Sequence, residues 1–131
     1  MLNTTELEIC ARTVAELGSD QPGEVRLSLA WVLRNRFERM MAAIGAPPTI
    51  GTACAGILRE ARGGRKPWPA SPPPLPEAEW RRIRAVNDLV WAGDVADPTG
   101  GAIACHRHDA SPAWSRNMTP TALLGSFLFF R

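Results

Sequence analysis

Glu16 is the side chain around which chemistry can be built. It is the last carboxylate of an apolar-faced stretch, between Val14 and Leu17 and just ahead of Gly18 in ARTVAELGSDQPG. A carboxyl group set among apolar neighbours at a helix C-terminus has two reasons to hold its proton. Burial disfavours the charged form, and so does the negative end of the helix dipole. A carboxylic acid kept neutral at ordinary pH is a general acid. The plain alternative is a solvated surface glutamate. A second group lies further on. Cys105, His106 and His108 are close enough in sequence to raise a metal site, but a strand sends 106 and 108 to one face and 105 to the other. No Cys-x-x-Cys pair or His-Glu-x-x-His helix supports them, so neither metal nor cofactor is expected. His106 then reads as a ligand-contacting or loop-orienting side chain, and Asp109 as a second carboxylate or a turn-former. No serine sits in a Gly-x-Ser-x-Gly elbow, which leaves a Ser/His/Asp arrangement weak.

The elements that must position these groups follow from periodicity and punctuation. Asn3 with Glu6 has the spacing of a reciprocal N-terminal cap, and Leu7, Cys10, Val14 and Leu17 then recur at helical intervals. Gly18 is expected to end this helix in a left-handed conformation, and Pro22 to open the next. Val25, Leu29, Val32, Leu33, Phe37, Met40 and Met41 give the second helix a broad apolar stripe, with Arg26, Arg34, Glu38 and Arg39 mostly opposite. Thr49 or Thr52 caps a short third helix reaching about Ala61. Half of the chain's prolines fall within Gly63–Pro76, an extended surface loop inside one domain spanning 1–131. Its Trp68 is either a platform for the apolar face of a sugar or a pin holding the loop to the core. A fourth helix runs from about Glu77 to Ala92 with Trp80, Ile83, Val86, Leu89 and Val90 inward. After the Asp97–Gly101 turn, a strand is expected over Ala102–His106, a loop or single turn opening at Pro112–Trp114, a brief helix from Thr119 through Leu124, and a closing strand over Gly125–Phe130 paired with the first. The fold class is α+β, mainly helical, with a small antiparallel β-element near the C-terminus.

Composition narrows the partners. A formal net charge of +2 suits an anionic polymer without requiring one, and the Arg81, Arg82 and Arg84 cluster, with no second basic element, does not make a nucleic-acid surface. The cysteines, Cys10, Cys54 and Cys105, are an odd number in separated apolar settings and read as buried reduced thiols. No stretch is long enough to span a membrane, and MLNTTELEIC lacks the pattern of a signal peptide. The expectation is synthesis in the cytoplasm and delivery by some other agent.

Two blocks of the sequence resemble the catalytic domain of the SleB-type cell wall hydrolases, the spore-cortex-lytic enzymes. ARTVAE, a glycine-bearing elbow and GEVRLSLAWVLRNRF are similar to that family's N-terminal pattern, and DPTGGAIACHRHDASPAWSRNMTPTALLGSFLFF to its C-terminal block. The resemblance covers about half of the chain, in the same order and separation, and leaves Gly63–Pro76 unmatched. It implies a lysozyme-like fold and cleavage of peptidoglycan between N-acetylmuramic acid and N-acetylglucosamine, with Glu16 as catalytic acid and then base. It also implies cleft positions for His106 and Trp114 and a structural role for Asn35. Asp20, His108 and Trp68 join them as candidate substrate-binding residues. One credible acid without a nucleophilic partner fits a lytic transglycosylase, in which the sugar's own hydroxyl replaces water, better than a two-carboxylate hydrolase. The chain departs from the family at Ala104 and Phe127, where many relatives have histidine, and at Phe130, where they have tyrosine. The alternative is therefore a catalytically inactive peptidoglycan-binding protein or a structural component of a phage-like particle. An active enzyme without a signal peptide would reach the wall as an endolysin does, through a holin or carried by the particle.

Overall fold

The structure is a computed structural model that describes residues 2–43, 48–62 and 74–131. Among these described residues lie four α-helices, α1 (Thr4–Gly18), α2 (Gly23–Ala42), α3 (Ile50–Arg62) and α4 (Glu77–Ala92), followed by β1 (Ala104–Arg107), a 3-10 helix (Ala113–Asn117), β2 (Pro120–Leu124) and β3 (Phe127–Phe130). The fold is mainly helical α+β, with its small antiparallel sheet at the C-terminal end. Each boundary has a local cause. The Asn3 side chain accepts from the Glu6 amide while the Glu6 carboxylate accepts from the Asn3 amide, closing α1 at its start. Thr49 Oγ1 accepts from the Thr52 amide ahead of α3, which selects Thr49 over Thr52 as the cap. Pro22 lies just outside α2 rather than in its first turn. Gly93 closes α4 at φ 78°, a backbone that glycine adopts without strain.

Gly18 differs from expectation. It stays helical, the chain turning after Ser19, and the need for glycine is one of space. A Cβ there would lie 2.6 Å from Leu29 Cδ1, a side chain that is fully buried. The sequence signal was right about the residue and wrong about its physics. Helix α2 packs on α1, α3 and α4, and its Val25, Leu29, Val32 and Leu33 are buried as the stripe requires. The opposite face is not wholly solvated. Arg26 is only 8% exposed and donates to Glu79 at 2.7 Å and to the Ser19 carbonyl. Arg34 crosses to the Val90 carbonyl at 2.6 Å, at the end of α4. On α4, Leu89, expected to point inward, is exposed, while Asn87 is buried and donates to the Leu7 carbonyl. Cys10 and Cys54, distant in sequence, meet between α1 and α3. Their mutual hydrogen bond and burial push the Cys10 thiol well above its ordinary value. All three cysteines are free.

The sheet order is β1-β3-β2 with both pairings antiparallel. β1 pairs with β3 as expected, from Ala104 opposite Phe130 to Arg107 opposite Phe127. The brief helix expected from Thr119 through Leu124 is instead β2. Thr-Ala-Leu-Leu is ambiguous between helix and strand, and the hairpin decides it. Gly125 takes φ 55° in a two-residue connection to β3, and Pro120 with its neighbours absorbs a register shift at the other end. Strand alternation sends Cys105, Phe127 and Phe129 into the core under the helices, and His106 and Phe130 to the other face. At Gly125 a Cβ would lie 2.5 Å from Gln21 Oε1 and 2.7 Å from Val25 Cγ2. Gly125→Ala therefore combines left-handed strain with a clash against α2, and a loss of about 2–3 kcal/mol is expected in denaturant unfolding.

Candidate functional site

Helices α1 and α3 both end against the sheet, and the charged groups of interest lie at those two ends. At the α1 end, Arg107 of β1 is the organiser. Its guanidinium donates to both oxygens of Asp20, at 3.0 and 2.8 Å, and to the Leu17 carbonyl at 3.0 Å, while lying 5.0 Å from the Phe127 ring centre. The fork satisfies one of the carbonyls that a helix leaves open at its C-terminus and fixes the Ser19–Gln21 elbow against β1. The Arg107 hydrogen bonds hold the Asp20 carboxyl below the usual carboxylate range, against a smaller upward push from burial. Gln21 extends the clamp, accepting from the Ser126 amide at 3.0 Å and so tying the elbow to the β2–β3 hairpin. Asp20, expected to bind substrate, is thus held inside the protein's own ion pair.

Glu16 sits one turn before this clamp. Its side chain is 39% exposed, and Oε2 lies 3.6 Å from Arg62 Nη2 at the end of α3. The apolar enclosure expected from its sequence neighbours is not there, for a geometric reason. Val14 and Leu17 point into the core, but the neighbours along the face of a helix are three and four residues away. For Glu16 those are Arg12, Thr13, Ser19 and Asp20, all polar.

At the α3 end, Glu60 receives both terminal nitrogens of Arg36, which also donates to the Ile103 carbonyl. The Glu60 carbonyl accepts the Trp114 indole N–H at 2.9 Å. Trp114 meets His106 edge-on at 5.6 Å between ring centres and Phe130 at 5.4 Å, while His106 stacks on Phe130 at 5.0 Å. His106 Nδ1 lies 2.7 Å from the Arg107 carbonyl, an atom that can only accept. Nδ1 therefore carries a proton, and in the neutral ring the lone pair is on Nε2. His106 is only 3% exposed, so the imidazole is a wall of an aromatic box before it is a surface that a ligand could reach.

The candidates thus fall into two groups. Glu16 and Asp20 lie with Arg62 and Arg107 at the end of α1, and His106 lies with Trp114 and Phe130 on the other face of the sheet. The last turn of α3 joins them, through Arg62 to Glu16 and through Glu60 to Trp114. His108 lies beyond the end of β1 with an exposed side chain, and Trp68 lies outside the described residues. Among the described residues no three His, Cys, Asp or Glu side chains gather as a metal site, and no helix is long and apolar enough to cross a membrane. Sequence reasoning missed Arg62, Arg107 and Glu60, because each acts through partners distant in the chain. Asn35 carried a signal and behaves as the structural residue expected, donating to Asp97 at 2.9 Å and to the Ala102 carbonyl at 3.0 Å. Comparison with protein-family models, curated proteins and solved structures finds no match to this chain.

Proposed function

We propose that this chain cleaves peptidoglycan glycan strands between N-acetylmuramic acid and N-acetylglucosamine, as a lytic transglycosylase with Glu16 as general acid and then base. One observation carries the assignment. Where the helix ends meet the sheet, Asp20 is held by a bidentate arginine, Glu60 by another, and Asp97 by four donors. Glu16 alone of these four carboxylates is partly exposed with its cation outside hydrogen-bonding distance, at 3.6 Å. A group that must give and retake a proton cannot have its lone pairs consumed by fixed donors. In the proposed step Glu16 protonates the bridging oxygen as the C1–O bond of the muramic acid breaks. The resulting carboxylate then takes the proton of the sugar's 6-hydroxyl as that oxygen attacks C1, giving a 1,6-anhydro end and restoring the acid. The sequence resemblance and the mainly helical fold with its small sheet agree with this chemistry. Delivery to the wall by a holin or a phage-like particle belongs to the same proposal.

The aromatic box favours a second reading. His106, Trp114 and Phe130 satisfy one another, and rings that pack on one another suit a peptidoglycan-binding or particle-structural protein without turnover. Mass spectrometry of purified sacculi digested with the protein separates the cases. Anhydro ends support transglycosylation and reducing ends hydrolysis. Pelleting with sacculi and no release supports the binding reading, and neither pelleting nor release overturns both.

A further inference from the structure

A groove of about 400 Å³ opens between the start of α1 and the last turns of α2 and α4, walled by Leu7, Phe37, Met41 and Trp91. Phe37 and Trp91 form its floor as an edge-on pair 6.0 Å apart, and Met41 is 58% exposed at its lip. This volume lies within the range of pockets that hold ligands, and a flexible thioether at the rim adapts to varied apolar shapes. The electrostatics select the occupant. The polar groups at the groove are Arg34, Glu38 and Asp88. Arg34 is already engaged, with Glu38 at 2.9 Å, with the Val90 carbonyl and over the Trp31 ring. Asp88 is exposed, and its carboxylate has no hydrogen-bond or ion-pair partner among the described residues. The C-termini of α2 and α4 end here, the first with Arg39 in its last turn and the second with Arg34 on its Val90 carbonyl, which leaves Asp88 as the uncompensated charge at the groove among the described residues. The positive start of α1 is met by its own capping box.

We propose that this groove docks an amphipathic, basic helical segment of a partner protein. Apolar side chains at i and i+3 or i+4 fill the groove, and an adjacent lysine or arginine meets Asp88 and the exposed side of Glu38. The surface is distinct from the end of α1 that carries Glu16. Fluorescence anisotropy with a labelled leucine–lysine amphipathic peptide of about 14 residues tests it. Saturable binding with a Kd on the order of 10 μM is expected. Asp88→Lys should weaken it about tenfold, and a peptide with glutamate in place of lysine should not bind. Nitrogen–proton spectra should show the Trp91 indole signal shifting. Asp88→Lys and Met41→Glu alter exposed side chains, and unchanged melting temperatures check that both variants fold. Absence of saturable binding overturns the proposal, as does binding indifferent to Asp88→Lys or to peptide charge. A dimer of this chain that Met41→Glu dissociates would also overturn it, because a second copy would then own the groove. Sacculus digestion by both variants should match the parent, so failure here is distinguishable from failure of the glycan-cleavage proposal.

Discussion

Glu16→Gln is expected to reduce release of soluble fragments from sacculi by at least about a hundredfold, the usual contribution of a positioned acid–base group. The melting temperature should stay nearly unchanged. Glutamine keeps the size of the side chain and its acceptor oxygen but has no proton to hand over. The small stability effect follows from the geometry. Glu16 and Arg62 are 39% and 41% exposed, and an ion pair that open to solvent contributes at most about 1 kcal/mol. A large loss of activity without loss of stability assigns Glu16 to chemistry. A large drop in melting temperature would assign it to the joint between α1 and α3. Undiminished release by the variant would remove Glu16 from the mechanism. If the chain binds sacculi without cleaving them, parent and variant pellet alike and neither releases anything.

The helices were legible because their causes are local. The Asn3–Glu6 cap and the stripe from Val25 to Leu33 each act within a turn or two of the chain. β2 was not legible, because Thr-Ala-Leu-Leu carries no decisive propensity and is a strand through its pairing with β3. The candidate site was legible only in part. Glu16, His106 and Trp114 could be named from type and spacing, but their surroundings are built from Arg62, Arg107 and Phe130. Each of those arrives from another element. The misjudged enclosure of Glu16 came from treating chain neighbours as spatial neighbours, and the buried state of His106 from not foreseeing that Phe130 would stack on it. The Asp97–Gly101 turn was visible as a turn. Its bond to Asn35, and so its role as a joint, was not.

Asp97→Ala should be among the most destabilising single changes, at about 3–4 kcal/mol, for reasons that combine charge, burial and position. One oxygen of Asp97 accepts from the Thr99 amide at 2.8 Å and its hydroxyl at 2.6 Å. The other accepts from the Gly101 amide at 3.0 Å and from Asn35 at 2.9 Å. Hydrogen bonds to a charged acceptor contribute about 1.5–3 kcal/mol each and do not add fully. Thr99 has no exposed surface, so its amide is left without an acceptor and its hydroxyl keeps only the role of accepting from the Ala102 amide. The turn also sets where β1 begins relative to α2, since Asn35 holds Asp97 and the Ala102 carbonyl together. Burial, the largest single influence, pushes the Asp97 carboxyl up. The hydrogen bonds from Thr99, Asn35 and Gly101 together outweigh it and hold the group below its ordinary value. A carboxyl depressed in the folded state stabilises fully above its unfolded value of about 3.9, and that stabilisation is lost as pH falls through the folded one. Urea unfolding followed from about pH 6 down to pH 2.5 should therefore show the parent weakening below about pH 4. Asp97→Asn, less stable at neutral pH but unable to titrate there, should show a shallower slope. It should not be flat, because Glu8, Asp20 and Glu79 are also held low by arginine partners. Equal slopes for parent and Asp97→Asn would mean that the turn does not depend on the charge of Asp97, and that the joint between sheet and bundle is held by packing alone.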